Sequence, residues 1–161
     1  MSLDGYIAGP NGEFDWIVSD PSMDFAALFA EFDTFLMGRR TFELVQSQGS
    51  QGAFAGKQVI VCSTTLREED YPGVTIVGSG AKEMIRELKK KPGKDIWLFG
   101  GGALFRSLLD AGLVDTIEVA LIPILLSEGV PLLAKGLRSP ALKLTGSKAL
   151  PSGIVTLTYA V

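Results

Sequence analysis

Ile96-Trp97-Leu98-Phe99-Gly100-Gly101-Gly102-Ala103-Leu104-Phe105 is an apolar, strand-like run that breaks into three glycines and resumes as a helical pattern through Leu104, Leu108 and Leu109. Glycine carries no Cβ, so three in a row let a ligand's polar backbone approach the main chain. The helix that follows aims its unpaired N–H groups and the positive end of its dipole at that ligand. The segment reads either as a meeting place for a phosphate-bearing molecule or as a tight strand-to-helix turn. A second junction of the same kind favours the first reading: Asp33-Thr34-Phe35-Leu36-Met37 runs into Gly38-Arg39-Arg40-Thr41.

Outward from these two junctions, strand and helix patterns alternate. Arg39 to Gln46 has a helical pattern, Lys57 to Cys62 reads as a buried strand ending in Ser63-Thr64-Thr65, and Val74 to Val77 as a short one. Ser79 is the expected N-cap of a helix in which Ala81, Met84, Ile85 and Leu88 keep helical spacing up to Pro92-Gly93. Asp95 to Phe99 is the strand before the glycines. Leu113 to Leu121, Leu142 to Ala149 and Ile154 to Tyr159 are strand-like and rich in β-branched residues. The alternating first two-thirds predicts a mostly parallel sheet, and the helix-free last third predicts antiparallel strands added at one edge. No repeat, low-complexity tract or linker interrupts the chain, so residues 1–161 read as a single α/β domain.

Composition narrows the chemistry. The chain of 161 residues is 47% apolar, enough for one domain with a real core. Its longest apolar run, Val119 to Leu126, is far too short to cross a bilayer, and no signal segment opens the sequence. A net charge of −3 without a basic block argues against a nucleic-acid surface. There is no histidine, which excludes the usual Ser-His and Cys-His nucleophile pairs. There is one cysteine, Cys62, which excludes an internal disulfide and a Cys/His zinc site and suits a reducing cytoplasm. No metal is expected. Chemistry carried by a bound organic cofactor is favoured, because the protein then supplies only position and electrostatics.

Three strand ends carry polar or glycine-rich residues: Gly38-Arg39-Arg40-Thr41, Ser63-Thr64-Thr65 and Gly100-Gly101-Gly102. In an open α/β sheet, ligands bind at the carboxyl ends of the strands. Two of these ends open helices and suit a pyrophosphate; the third offers hydroxyls. Arg39 and Arg40 add guanidinium forks that suit a phosphate monoester, as on a dinucleotide with a 2′-phosphate. The bland alternatives are a solvated helix start for the arginines and a turn cluster for Ser63-Thr64-Thr65.

The order Ser2-Leu3-Asp4-Gly5-Tyr6-Ile7-Ala8, Asp15-Trp16, Met37-Gly38-Arg39-Arg40-Thr41-Phe42-Glu43, Ser63-Thr64 and the triple glycine resembles the dihydrofolate reductase superfamily. Leu113-Val114-Asp115, Ile122-Pro123-Ile124-Leu125-Leu126 and Gly129-Val130-Pro131-Leu132-Leu133 resemble its branch related to the riboflavin-biosynthesis reductase domain. The resemblance implies a three-layer dihydrofolate-reductase-like fold, a mostly parallel central sheet with antiparallel C-terminal strands. It implies an NADPH site. Arg39 and Arg40 would lie near the adenosine 2′-phosphate, with Gly38 and Thr41 at the pyrophosphate and Ser63 and Thr64 on the adenosine side. Phe99, Gly100, Gly101, Gly102, Ala103 and Leu104 would run along the pyrophosphate and nicotinamide ribose, with a cis peptide between Gly100 and Gly101. Ile7 and Ala8 would flank the nicotinamide, under a mobile loop from Gly9 to Phe14.

The same resemblance implies a flat heterocyclic substrate, pterin- or pyrimidine-like, oriented by one carboxylate. Asp24 is the candidate for that catalytic and substrate-binding role, with Asp20 competing and an N-cap region as the bland reading. Trp16 and Leu28 would line the same pocket or belong to the core. Three departures stand out. Tyr6 occupies a position where riboflavin-pathway relatives tend to be basic, and Ala103 lacks an arginine found in some dihydrofolate reductases. Family members also carry a full first strand before the Ser-Leu-Asp-Gly segment, whereas Met1 falls at that segment. Either the chain is shortened there, or another segment, from this chain or a partner, takes the place. The expected activity is NADPH-dependent reduction by a cytoplasmic homodimer; the alternative is an NADPH-binding module or sensor without turnover.

Overall fold

A computed structural model describes residues 1–161, with the side chains of all but residues 50 and 51. In chain order its elements are β1 (Tyr6–Ala8), α1 (Phe25–Ala30), β2 (Phe32–Gly38), α2 (Arg39–Ser47), β3 (Gln58–Cys62), β4 (Val74–Val77) and α3 (Ala81–Leu88). Then follow β5 (Asp95–Gly100), α4 (Gly102–Asp110), β6 (Thr116–Leu121), β7 (Val130–Pro131), β8 (Lys143–Ala149) and β9 (Val155–Ala160). Backbone contacts group these into two compact units: Phe25–Leu113, and Met1–Asp24 together with Val114–Val161.

The unit Phe25–Leu113 is the parallel α/β part, with strand order β4-β3-β2-β5. All three pairings are parallel. A strand inside a parallel sheet is covered on both faces, so it reads as a continuous apolar run rather than an alternating one. β2 obeys this: Phe35, Leu36 and Met37 are almost wholly buried in succession. Around Phe35 the rings of Phe29, Phe54, Trp97 and Phe99 pack at centroid distances of 5.3, 4.9, 5.4 and 6.0 Å. Two lysines finish α1: Lys57 Nζ donates to the Phe29 carbonyl at 3.0 Å and Lys94 Nζ to that of Ala30 at 2.7 Å. Cations suit the negative end of a helix.

Register sets where the strands end. Gly38 lies opposite Cys62, Cys62 opposite Val77, and Met37 opposite Gly100. All four strands therefore finish along one edge, each running into a polar or glycine-rich segment.

The other unit holds an antiparallel sheet of order β6-β9-β8 and the small antiparallel pair β1-β7. Its core is Ile122, Leu150 and Ile154, with Trp16, Met23, Ala120 and Ile124 packed against them. The parallel sheet and antiparallel C-terminal strands are those that the resemblance implies, but the C-terminal strands pair as a sheet of their own, not as additions to one edge of the parallel sheet. Two local readings change. The N-cap of α3 is Gly80, not Ser79. The strand read from Leu113 begins only at Thr116, because α4 closes first. Gly112 adopts φ +65°, its N–H donates to the Leu109 carbonyl, and the Leu113 N–H turns back to Leu108. That C-terminal closure uses the amide that a longer strand would need.

Candidate functional site

The aligned strand ends of the parallel unit border a groove of about 630 Å³. Its walls are Arg39 at the start of α2, Cys62 to Thr65 after β3, Gly78 and Ser79 after β4, Ala81 to Glu83 at the start of α3, and Leu104 and Ser107 on α4. Of the residues singled out in the sequence, Arg39, Ser63, Thr64 and Leu104 line this groove together.

Gly38 and the triple glycine approach each other and do not line the groove. A Cβ on Gly38 would lie 3.9 Å from both the Gly100 carbonyl oxygen and the Gly101 nitrogen. Cβ atoms on Gly100 and Gly101 would lie 3.2 and 3.4 Å from Thr41 Oγ1. Gly100, at φ +148°, has a backbone conformation that side chains disfavour, and the Gly100–Gly101 peptide is cis, as the resemblance implies. The N-caps of α2 and α4 are Gly38 and Gly101, and neither helix start has a side-chain cap. Each leaves first-turn N–H groups without an intrahelical partner. Two uncapped helix starts, a threonine hydroxyl and the Arg39 guanidinium form a donor set that fits a pyrophosphate-bearing dinucleotide; Arg40, exposed on α2, is not among the residues that line the groove.

The remaining groups are partly committed. Arg39 Nη1 pairs with Glu43 at 2.9 Å one turn along α2, on the surface, where such a pair is weak and readily exchanged. Ser63 Oγ accepts the Thr65 and Leu66 N–H groups at 3.2 and 3.1 Å, so the turn-cluster reading of Ser63 holds locally. The Ser63 and Thr65 hydroxyls also share a hydrogen bond at 3.3 Å, and either one can be its donor. Cys62 sits in the groove wall with its thiol pushed up to about 11 by burial, which keeps it neutral.

Ile7, Ala8, Trp16 and Asp24 belong to the other unit. Ile7 and Ala8 lie on β1, which β7 fixes from one side through the Tyr6–Pro131 and Ala8–Val130 pairings. The segment leading into β7 is tied down by Asp4. Its carboxylate accepts the Ser2 hydroxyl at 2.7 Å and the Leu126 and Ser127 N–H groups at 3.1 and 2.8 Å. These bonds, the serine first, hold the Asp4 carboxyl below its usual range. Trp16 packs on the Ile122 cluster and donates Nε1–H to the Glu13 carbonyl at 3.2 Å. Leu28 is half-buried on α1 in the parallel unit.

The two competing carboxylates differ sharply. Asp20 is 3% exposed and accepts Ser152 N–H at 2.9 Å, Ser22 N–H at 2.8 Å and the Ser22 hydroxyl at 2.5 Å. Hydrogen bonds from Ser152 and then Ser22 hold its carboxyl well below the usual carboxylate range. Asp20 is thus a clamp between two turns. Asp24, just before α1, is exposed.

Comparison with known proteins decides the family. The model of the RibD C-terminal domain matches residues 1–156. The chain belongs to the RibD C-terminal domain family. The uncharacterized protein YyaP of Bacillus subtilis is 34% identical to this RibD C-terminal domain, over 99% of the chain and 90% of its own length. A crystal structure of a proposed riboflavin biosynthesis protein of Shewanella sp. PV-4 superposes with a TM-score of 0.84 at 30% identity, covering 99% of this chain and 94% of that one. Dihydrofolate reductase from Enterococcus faecalis, solved with NADP(H), has a TM-score of 0.69 at 17% identity, covering 99% and 91%. That last likeness shows the dihydrofolate-reductase-like fold of this RibD C-terminal domain.

Sequence reasoning found three strand ends in this RibD C-terminal domain and missed the fourth. Gly78 and Ser79 after β4, with Lys82 and Glu83 on α3, form the outer wall of the groove. The signal was present: Gly78-Ser79-Gly80 follows the short strand Val74–Val77 and has the same glycine and hydroxyl character as the other ends.

Proposed function

We propose that this protein is an NADPH-dependent reductase acting on a flat heterocycle of pterin or pyrimidine type, working as a homodimer of single-domain chains. The observation that supports it best is the meeting of two uncapped helix starts at Gly38 and Gly101, beside a groove lined by Arg39, Ser63 and Thr64. Dinucleotides are recognised in this way: backbone N–H groups take the pyrophosphate, and guanidinium and hydroxyl groups take the phosphorylated ribose.

In this reading the first-turn amides of α2 and α4 and the Thr41 hydroxyl hold the pyrophosphate. Arg39 and Arg40 face the 2′-phosphate, and Ser63 and Thr64 donate on the adenosine side. Phe99 to Leu104 set the line of the cofactor, and Ile7 and Ala8 flank its ring. The cofactor supplies the hydride when bound. The protein's share is alignment of the reacting groups and control of the proton. Asp24 accepts hydrogen bonds from the substrate ring and supports its protonation; Trp16 and Leu28 contribute apolar surface to the same substrate.

Calorimetric titration with NADPH tests the cofactor, and NADPH oxidation measured against dihydrofolate, related pterins and riboflavin-pathway pyrimidines tests the reaction. Saturable NADPH binding with oxidation in one of these mixtures is expected. Absence of NADPH binding refutes the reading. Binding without oxidation across the whole panel favours a nucleotide sensor.

A further inference from the structure

Lys82 is a cation in a place that helix stability does not explain. It is the second residue of α3, whose N-cap Gly80 provides no side-chain cap. A positive side chain in the first turn opposes the helix dipole, so lysine belongs at the other end of a helix. Lys82 is exposed and lines the groove, and no ion pair or hydrogen bond joins it to another of the described residues. Its charge acts on Asp110, whose oxygens are already taken by Arg106: Nε donates at 2.9 Å and Nη2 binds the second oxygen. Glu83, beside it in the groove wall, faces Arg86 at 3.9 Å. The ammonium keeps its donors for something that enters the groove.

The sheet order shows where that something would lie. Arg39 follows β2, Lys82 follows β4, and Ser63 to Thr65 follow β3 between them. An anion above the end of β3 would have a guanidinium on one side, an ammonium on the other and hydroxyls beneath. A doubly charged phosphate monoester gains most from two flanking cations; an uncharged ribose hydroxyl gains nothing from the second.

We propose that Lys82 is a specificity-determining residue that makes the groove select a 2′-phosphorylated dinucleotide over its unphosphorylated counterpart. The proposal rests on the reading that this groove takes the adenosine half of NADPH. Its test is binding, not turnover. Dissociation constants for NADPH, NADH and 2′,5′-ADP are measured by calorimetry for the wild type, Lys82→Ala and Lys82→Arg. Loss of one charge-assisted contact to a phosphate corresponds to about a tenfold loss of affinity. Lys82→Ala is expected to weaken NADPH and 2′,5′-ADP by about that factor and to leave NADH unchanged, with Lys82→Arg restoring most of the loss. Far-ultraviolet dichroism checks that the variants are folded, as an exposed position predicts. An unchanged ratio of NADPH to NADH affinity in Lys82→Ala, or an equal loss for both, overturns the role of Lys82 while leaving NADPH binding intact. A wild type that binds none of the three nucleotides overturns both readings.

Discussion

Replacing Gly129 by alanine is expected to spring β7 away from β1. Gly129 has φ +152°, and a Cβ there would lie 2.2 Å from the Ala8 carbonyl oxygen and 3.2 Å from the Gly9 Cα. Real Cβ atoms do not approach backbone oxygen closer than about 3 Å, so the two segments must part by roughly 1 Å. Neither neighbour is the tip of a flexible side chain that can swing aside. The backbone conformation adds about 1–2 kcal/mol of strain for an L-residue, and forcing an extra group into packed structure adds about 1–3 kcal/mol. The sum is about 2–5 kcal/mol, a large share of a typical domain's stability. Urea unfolding followed by dichroism measures it. Amide exchange locates it: the Leu132 N–H, bonded to the Gly5 carbonyl at 2.9 Å, is expected to lose protection, while amides of β2 keep theirs. A Gly129→Ala protein within about 0.5 kcal/mol of wild type, with Leu132 still protected, would refute the close approach of these segments.

Phe35, with no exposed surface and five aromatic neighbours, is expected to cost about 3–5 kcal/mol on replacement by alanine, read from urea unfolding and the tryptophan emission shift. Asp20 has a carboxyl lowered on folding, so it stabilises the fold fully above the unfolded value near pH 4 and loses that contribution as the pH falls below it. Asp20→Asn should therefore be less stable at neutral pH and show a flatter decline of stability below about pH 4; an unaltered acid profile contradicts the clamp. Cys62, with its thiol pushed up to about 11, should be alkylated by iodoacetamide slowly at neutral pH and faster as the pH rises; rapid labelling at pH 7 contradicts its burial.

The parallel unit was legible because its signals are local. The apolar runs Asp33–Met37, Lys57–Cys62 and Asp95–Phe99 each end in residues whose chemistry belongs at a strand terminus, and the strands lie where those runs predict. The other unit was less legible because its bonds join distant parts of the chain. Nothing near Asp20 in the sequence announces Ser152, the donor that commits its carboxylate. Nothing near Tyr6 announces Pro131, and β7 is too short to show a period. Ser79 looked like a helix cap from its residue type alone, whereas the structure places it in the wall of the groove and gives the N-cap to Gly80. The strand read from Leu113 started too early because a helix-closing turn claims the same amide.

The division of the chain has a bearing on how it is made. Phe25–Leu113 is continuous, so all its strand pairings become available once residue 113 has left the ribosome. The other unit is assembled from both ends of the sequence. Until the second half of that unit is synthesised, Asp4 lacks Leu126 and Ser127, Tyr6 lacks Pro131, and Asp20 lacks Ser152. Chains emerge in order, and contacts between remote residues close last. The N-terminal stretch that carries Ile7, Ala8 and Asp24 therefore waits for its partners until they emerge, exposed to proteases and chaperones. Ribosome-bound chains stalled only after residue 113 has cleared the exit tunnel should be cut readily before residue 25 and resist cleavage within β2, β3 and β5.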